Sequence, residues 1–329
     1  MDDCGEFRMV KSGMPFASTS NVQMDGERWS ATRLVRVALR VLGNLSCQME
    51  ILRLLKYPVL AEMLPCNPRF PIKFAADDYL ARDLSVAERK SCFMHHYVRL
   101  LGALPDRMLR LIFHRSVSIF EMREGESVYR VIIHLSMPWD KEGELSLTLE
   151  RNGIGIYVIS FSIVPGSIVN SEAPEVLLIS RVQGMKGKYK MIQEATKVMS
   201  DVNPASCLVA ALQGFAEAFG ICEIVAVSAV RQSAYSEDQA EMFRKAYDEF
   251  FYTVGAVLGS DNFFHCPVPI PEKPIQEVKR GHKLRTKEKR AFKREVSDAV
   301  LRFFQRNWRA SGARSRAERT SDLPVQMMR

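Results

Sequence analysis

Residues 177–187, followed by 220–228, lay out a strand, a glycine-bearing loop, two helices and a second strand, which sets an anion-sized cradle at the end of a sheet. Unpaired N–H groups at a helix start, together with the helix dipole, favour negative charge. The candidate contacts in this loop are Arg181, Gln183, Gly184, Lys186, Gly187 and Lys188, with Lys190 close behind. Glu142 and Glu144 stand on either side of Gly143. If a strand starts there, the two carboxylates share a face, and mutual repulsion would set them up as a general acid/base pair. Ser146 and Thr148 continue the same alternation, so a solvated sheet face is the plain alternative. Tyr247 or Tyr252 would be the matching acid, although their helical spacing with Phe243 and Phe250 equally describes a packed stripe.

Other reactive side chains make poorer sites. His95 and His96 are adjacent, so on a helix they point about 100° apart and cannot share one metal. Cys92 lies one turn earlier, and further ligands would have to come from elsewhere; no metal site is expected. Ser228 ends a strand but lacks the G-x-S-x-G frame of a hydrolase nucleophile.

The chain has 329 residues, 47% of them hydrophobic, enough for a large core without disulfides. Its seven cysteines are scattered with no C-x-x-C, which points to a reducing compartment. No apolar run reaches the roughly 18 residues of a membrane span, and the start lacks a basic-then-apolar leader. A cytoplasmic protein, soluble or peripheral on the inner membrane, is expected. The net charge is +8, and residues 272–319 hold 16 Lys/Arg against 6 Asp/Glu. Such a segment suits phosphates, anionic headgroups or an acidic partner, or is simply a solvated helix face.

These groups must be held by elements legible from periodicity. Residues 29–43 read as an amphipathic helix with Arg33, Arg36 and Arg40 on one face, suited to an anionic membrane surface or to docking on the core. Helical runs follow at 49–63, 86–101 and 105–113. A strand led by Tyr129, Val131 and Ile133 precedes residues 144–150, where leucines alternate with polar residues. Asn152-Gly153 then announces a hairpin into residues 154–163. A two-residue loop would pair Leu145 with Ser160, so a three-residue loop with Gly153 in a bulge is predicted, because it pairs odd positions with odd. Residues 175–182 form a nearly continuous apolar strand, as expected of one covered on both faces. Asn203-Pro204 and Gly220 mark the ends of the next helix, and Ser236 with Gln239 suggests a capping box. A last strand at 263–268 and a basic helix over 286–308 complete the series, the latter with Phe292, Val296, Ala299, Val300 and Phe303 on its packed side. Those aromatics follow a packing stripe, which argues against nucleic-acid binding.

The blocks Lys141-Glu142-Gly143-Glu144-Leu145-Ser146-Leu147, Val182-Gln183-Gly184, Glu194-Ala195-Thr196-Lys197, Ala226-Val227-Ser228, Tyr247-Asp248-Glu249-Phe250 and Lys279-Arg280 resemble, in order and spacing, the VirK/YbjX family. The likeness spans roughly residues 79–302, with Lys141 where that family's pattern has a histidine. It implies a Gram-negative bacterial factor in virulence, envelope integrity or antimicrobial-peptide tolerance, of unassigned molecular activity; a peripheral protein acting through binding to membrane or envelope-synthesis partners is expected. The element order also resembles, more distantly, the GNAT acyltransferases, which hold acyl-CoA pyrophosphate in an Arg/Gln-x-x-Gly-x-Gly/Ala loop. Arg181, Gln183 and Gly184 begin that pattern, while Lys186 interrupts it. That likeness implies acyl-CoA as cofactor, with Glu144 as base and Tyr247 as acid. The expected fold is α+β. Residues 1–27 and 309–329 are read as tails, 28–113 as a helical region, 114–271 as the mixed core, and 272–308 as a basic helical segment.

Overall fold

The computed structural model describes residues 45–137 and 140–309. The expected helix over 29–43, with Arg33, Arg36 and Arg40, lies outside them. The protein is α+β, built on a mixed eight-stranded sheet. The strands are β1 (Val117–Glu124), β2 (Ser127–Leu135), β3 (Leu145–Arg151), β4 (Ile154–Pro165), β5 (Glu175–Gly184), β6 (Glu223–Val227), β7 (Val257–Leu258) and β8 (Phe263–Pro267). Their spatial order is β1-β2-β3-β4-β5-β6-β8-β7. β1 to β5 form an antiparallel meander, β5 and β6 run parallel, and β8 returns antiparallel beside β6.

The helices follow from the same local signals. α1 (Leu45–Leu54) and α2 (Pro58–Ala61) replace the single run expected over 49–63, because Pro58 cannot continue a helix and instead opens a new one. α3 (Val86–Ala103) begins with a capping box between Ser85 and Glu88, and α4 (Asp106–His114) follows directly. α5 (Tyr189–Val198) and α6 (Pro204–Phe219) connect β5 to β6. Asn203 caps α6 by accepting from the Ser206 N–H, and Gly220 ends it in the left-handed region at φ +71°. No side-chain cap forms at Ser236; a 3₁₀ turn intervenes before α7 (Ala240–Phe243). A π-turn (Arg244–Asp248) then leads into α8 (Glu249–Val254). α9 (Lys283–Arg309) is the long basic helix.

The hairpin between β3 and β4 keeps the expected parity by a different route. Leu147 pairs with Ile159 and Leu149 with Tyr157, but the loop has two residues, Asn152 and Gly153, with φ of +51° and +79°. That is the mirror-image turn whose twist matches paired strands. The odd-to-odd pairing is restored by a bulge at Ile156, so the extra residue sits inside β4 and not at Gly153.

Both sheet faces are covered. Leu145, Leu147, Ile159 and Phe161 face α6, where the Phe161 ring meets Phe215 edge-on at 5.2 Å. Phe215 and Phe219 in turn contact Phe304 of α9. Gly214 allows this approach, because a Cβ there would lie 2.1 Å from the Ser297 carbonyl oxygen. The opposite face, expected to be solvated, is buried too: Ser136, Ser146 and Ser160 form a chain of hydroxyl hydrogen bonds at 2.8 and 2.9 Å. His134 bonds Thr148 at 2.9 Å beside it. One apolar core runs from Ile51 to Phe304, so the helices before β1 are part of the body that holds the sheet.

Candidate active site at the fork between β5 and β6

β5 and β6 are paired only through residues 177–179 and 224–226. β5 then carries an extra residue, Ser180, opposite the Ser160/Phe161 step of β4, while β6 ends at Val227. The bulge increases local twist and swings residues 181–184 away from β6. A fork results, with a strand edge on one side and a 3₁₀ turn (Ala229–Arg231) on the other. The Ser180 and Ser228 hydroxyls lie at its base, are buried, and have no hydrogen-bond partner in the protein. Such a pair costs about 1–3 kcal/mol per group unless something polar meets it.

Tyr247 enters the fork from the π-turn, a deformation that rotates a side chain out of α-helical register and recurs at functional sites. Burial pushes its phenol pKa well up, and Glu142 pushes it further. Arg181 and hydrogen bonding to the Val182 main chain work the other way. Asp248 anchors the turn by accepting the Ala229 N–H at 2.8 Å. Tyr252, the other candidate acid, is largely exposed and packs edge-on against Phe264.

The two glutamates part company at Gly143. This residue has φ +145°, and an added Cβ would sit 2.6 Å from the Phe161 amide nitrogen, so only glycine fits. Glu144 turns inward and is 1% exposed. It accepts from Tyr79 at 2.9 Å and from Tyr97, and its Oε1 lies 3.1 Å from Lys73 Nζ. Lys73 also donates to the Gly143 carbonyl at 3.0 Å. With both oxygens engaged and no route to solvent, Glu144 is a clamp between the sheet and the preceding helical region. It does not share a face with Glu142 and has no access to the fork.

Glu142 turns toward the fork. Ser233 donates to it at 3.1 Å, and Arg181 Nε lies 3.6 Å away. Burial raises its pKa; Arg181 and Ser233 oppose this, and Asp140 and Asp78 add to it. Sequence periodicity does not reveal that Glu142 lies beside Arg181 and close enough for its charge to act on Tyr247, since these groups come from β5 and the π-turn.

The loop after β5 differs from the expected cradle. Arg181 is held by both Asp140 oxygens at 3.0 Å and by Gln183 at 2.9 Å. Gly184 lies under Ile192 and the Tyr157 ring, where a Cβ would come within 3.1 and 3.3 Å. The Met185 N–H is taken by the Ile156 carbonyl. The open donors come one turn later: the Ile192 N–H reaches Lys188, so the amides of Tyr189, Lys190 and Met191 precede the first intrahelical bond of α5. No side chain caps this end, Gly187 (φ +76°) has open space around it, and Tyr189 projects into solvent. Lys186 and Lys190 are exposed beside it and Lys188 is half-buried.

His95 pairs with Glu175 at 2.9 Å, and Arg99 joins them at 2.8 Å. His96 points inward and accepts the Ile163 N–H at 3.0 Å. Among the described residues no group of three or more His, Cys, Asp or Glu is placed to hold a metal. No helix among them is long and apolar enough to cross a membrane.

Residues 27–294 match the family described as protein of unknown function (DUF535). The chain belongs to that family. It is also similar to the uncharacterized protein YbjX of Escherichia coli (strain K12), 26% identical over 251 residues, which cover 74% of this chain and 73% of that one. No solved structure matches. In this DUF535 protein Glu142, Val182, Ser228 and Tyr247, from four blocks separate in sequence, come together around the fork.

Proposed function

We propose that the fork is the active site of an N-acyltransferase that takes an acyl-CoA as donor and an amine on a lipid, peptide or protein as acceptor. The observation that carries this reading is the parting of β5 and β6 at the bulged Ser180, with two buried, unpartnered hydroxyls at its base. Beyond the Val182 main chain, which Tyr247 meets, β5 has no strand beside it on this side, and such an edge pairs with an extended chain of amides in the manner of an added strand; pantetheine is such a chain. Its pyrophosphate would reach the open amides of α5 with Lys186 and Lys190 beside them. When bound, acyl-CoA supplies an activated thioester carbonyl. Tyr247, with its phenol pKa held up by burial, keeps a proton at Oη for a departing thiolate. Glu142, with its own pKa raised, is placed to take a proton from the attacking amine. Arg181 and Ser233 orient that carboxylate. Envelope integrity, virulence and antimicrobial-peptide tolerance are ends that acylation of a lipid or peptide amine would serve.

The test combines binding and turnover. Acetyl-CoA and longer acyl-CoAs at a hundred times their Kd should stabilise the protein by about 2.7 kcal/mol in a thermal shift. Tyr247→Phe should keep that shift and lose turnover by about 10²-fold, the usual contribution of a positioned acid. Absence of any shift at millimolar acyl-CoA rules the reading out.

A further inference from the structure

The first half of α9 carries a charge pattern that packing does not require. Residues 283–294 contain seven Lys or Arg against one acidic residue, Glu288. At 100° per residue, Lys283, Lys287, Arg290 and Arg294 fall within about 60° of one another on the helix. They face away from Phe292, Val296 and Val300, which are buried against the core. Glu272 compensates the stripe in part, lying 3.4 Å from Arg290 and 3.9 Å from Arg294. Lys283 and Lys287 have no acidic partner among the described residues. The crowding is felt locally: burial lowers the Lys293 pKa, and Arg290, Lys289 and Arg294 lower it further against Glu272. Leu284, 71% exposed, stands next to the stripe, about 100° round from Lys283.

We propose that this face of α9 docks on a membrane surface rich in anionic phospholipid, with the cations meeting headgroups and Leu284 entering the interface. Several observations favour a lipid over the other polyanions. An exposed leucine among unpaired lysines suits an interface that is charged outside and apolar just beneath. A nucleic acid would be served by exposed aromatic rings between the charges, whereas Phe292 and Phe304 are buried and Phe303 packs on Phe304. The stripe runs along about three turns of one unbroken helix, which suits a flat surface. It is separate from the fork, so this inference stands whether or not the acyltransferase reading does.

The experiment is vesicle flotation of the full chain with phosphatidylcholine alone and with 30% phosphatidylglycerol. Binding to the anionic vesicles only, falling as salt is raised, is the expected result. Lys283→Gln with Lys287→Gln should weaken it by about 25-fold, at roughly fivefold per charge removed near such a surface. Leu284→Ser should weaken binding without changing its salt dependence. Leu284 and Lys287 are exposed and Lys283 is half-buried, and a circular dichroism melt matching the parent shows that both variants fold. Equal flotation with neutral vesicles, full binding by the double variant, or loss of binding only when Arg33, Arg36 and Arg40 are changed would each overturn the proposal. So would tighter binding to DNA that Leu284→Ser leaves untouched.

Discussion

Gly214→Ala and Gly102→Ala should change stability in opposite directions, although each places alanine for glycine inside a helix. Propensity alone favours both by about 1 kcal/mol, because glycine loses more backbone entropy on folding. Gly102, near the end of α3, has nothing within 4 Å of an added Cβ, so it should show most of that gain. At Gly214 the new methyl would meet the Ser297 carbonyl oxygen at 2.1 Å and its carbonyl carbon at 2.9 Å. Both are backbone atoms of α9 and cannot rotate away, so the helix must withdraw by about 1 Å, forfeiting a quarter to half of each dispersion contact across the gap. Those contacts include Phe304 on Phe215 and Phe219, with ring centroids at 5.0 and 5.8 Å. Overpacking of this kind costs about 1–3 kcal/mol, and more where backbone must move. Set against the helix gain, a net loss of about 2 kcal/mol follows. Urea denaturation followed by tryptophan fluorescence and far-UV circular dichroism measures both variants. If Gly214→Ala is as stable as the parent, α9 does not lie against α6 as described.

His96 links stability to pH. Burial, with Lys73 and His95 adding to it, lowers its pKa to about 3, so the native state stays neutral where the unfolded chain takes a proton. Its contribution is complete above the unfolded value near 6.5 and is lost as pH falls toward 3; between pH 7.5 and 5 the loss is about 2 kcal/mol. His96→Gln should flatten the profile of urea midpoints over that range, and an unchanged slope would count against a buried neutral imidazole. Lys73→Met should cost about 3 kcal/mol, because it leaves Glu144 buried beside two tyrosines without its cation. Adding Glu144→Gln should restore part of that loss in the same denaturation assay, and a single variant within 0.5 kcal/mol of the parent would show that the clamp carries little (about the scatter of surface changes).

Much of the fold was readable because its signals are local. The alternation in β3, the unbroken apolar run of β5 and the Asn203-Pro204 to Gly220 punctuation of α6 each declare an element within a dozen residues. The hairpin shows where local reading stops: parity predicted the pairing, but whether the extra residue sat in the turn or at Ile156 depended on how β4 also packs. The loop after β5 shows it again. Gly184 has the right neighbours in sequence for a phosphate turn, yet Tyr157 and Ile192 close over it and the open amides move to the start of α5.

The sequence by itself determined the order of the main strands and helices, the mixed α+β character, the family and the concentration of positive charge toward the carboxyl end. Only the tertiary structure decided which glutamate is buried and which is available. Glu144 is captured by Tyr97 and Tyr79, 47 and 65 residues away, while Glu142 meets Ser233, 91 residues on. Periodicity records which face of its own element a side chain occupies; it carries no information about what a distant segment brings against that face. The placement of charge and of open hydrogen-bond donors therefore belongs to the assembled molecule.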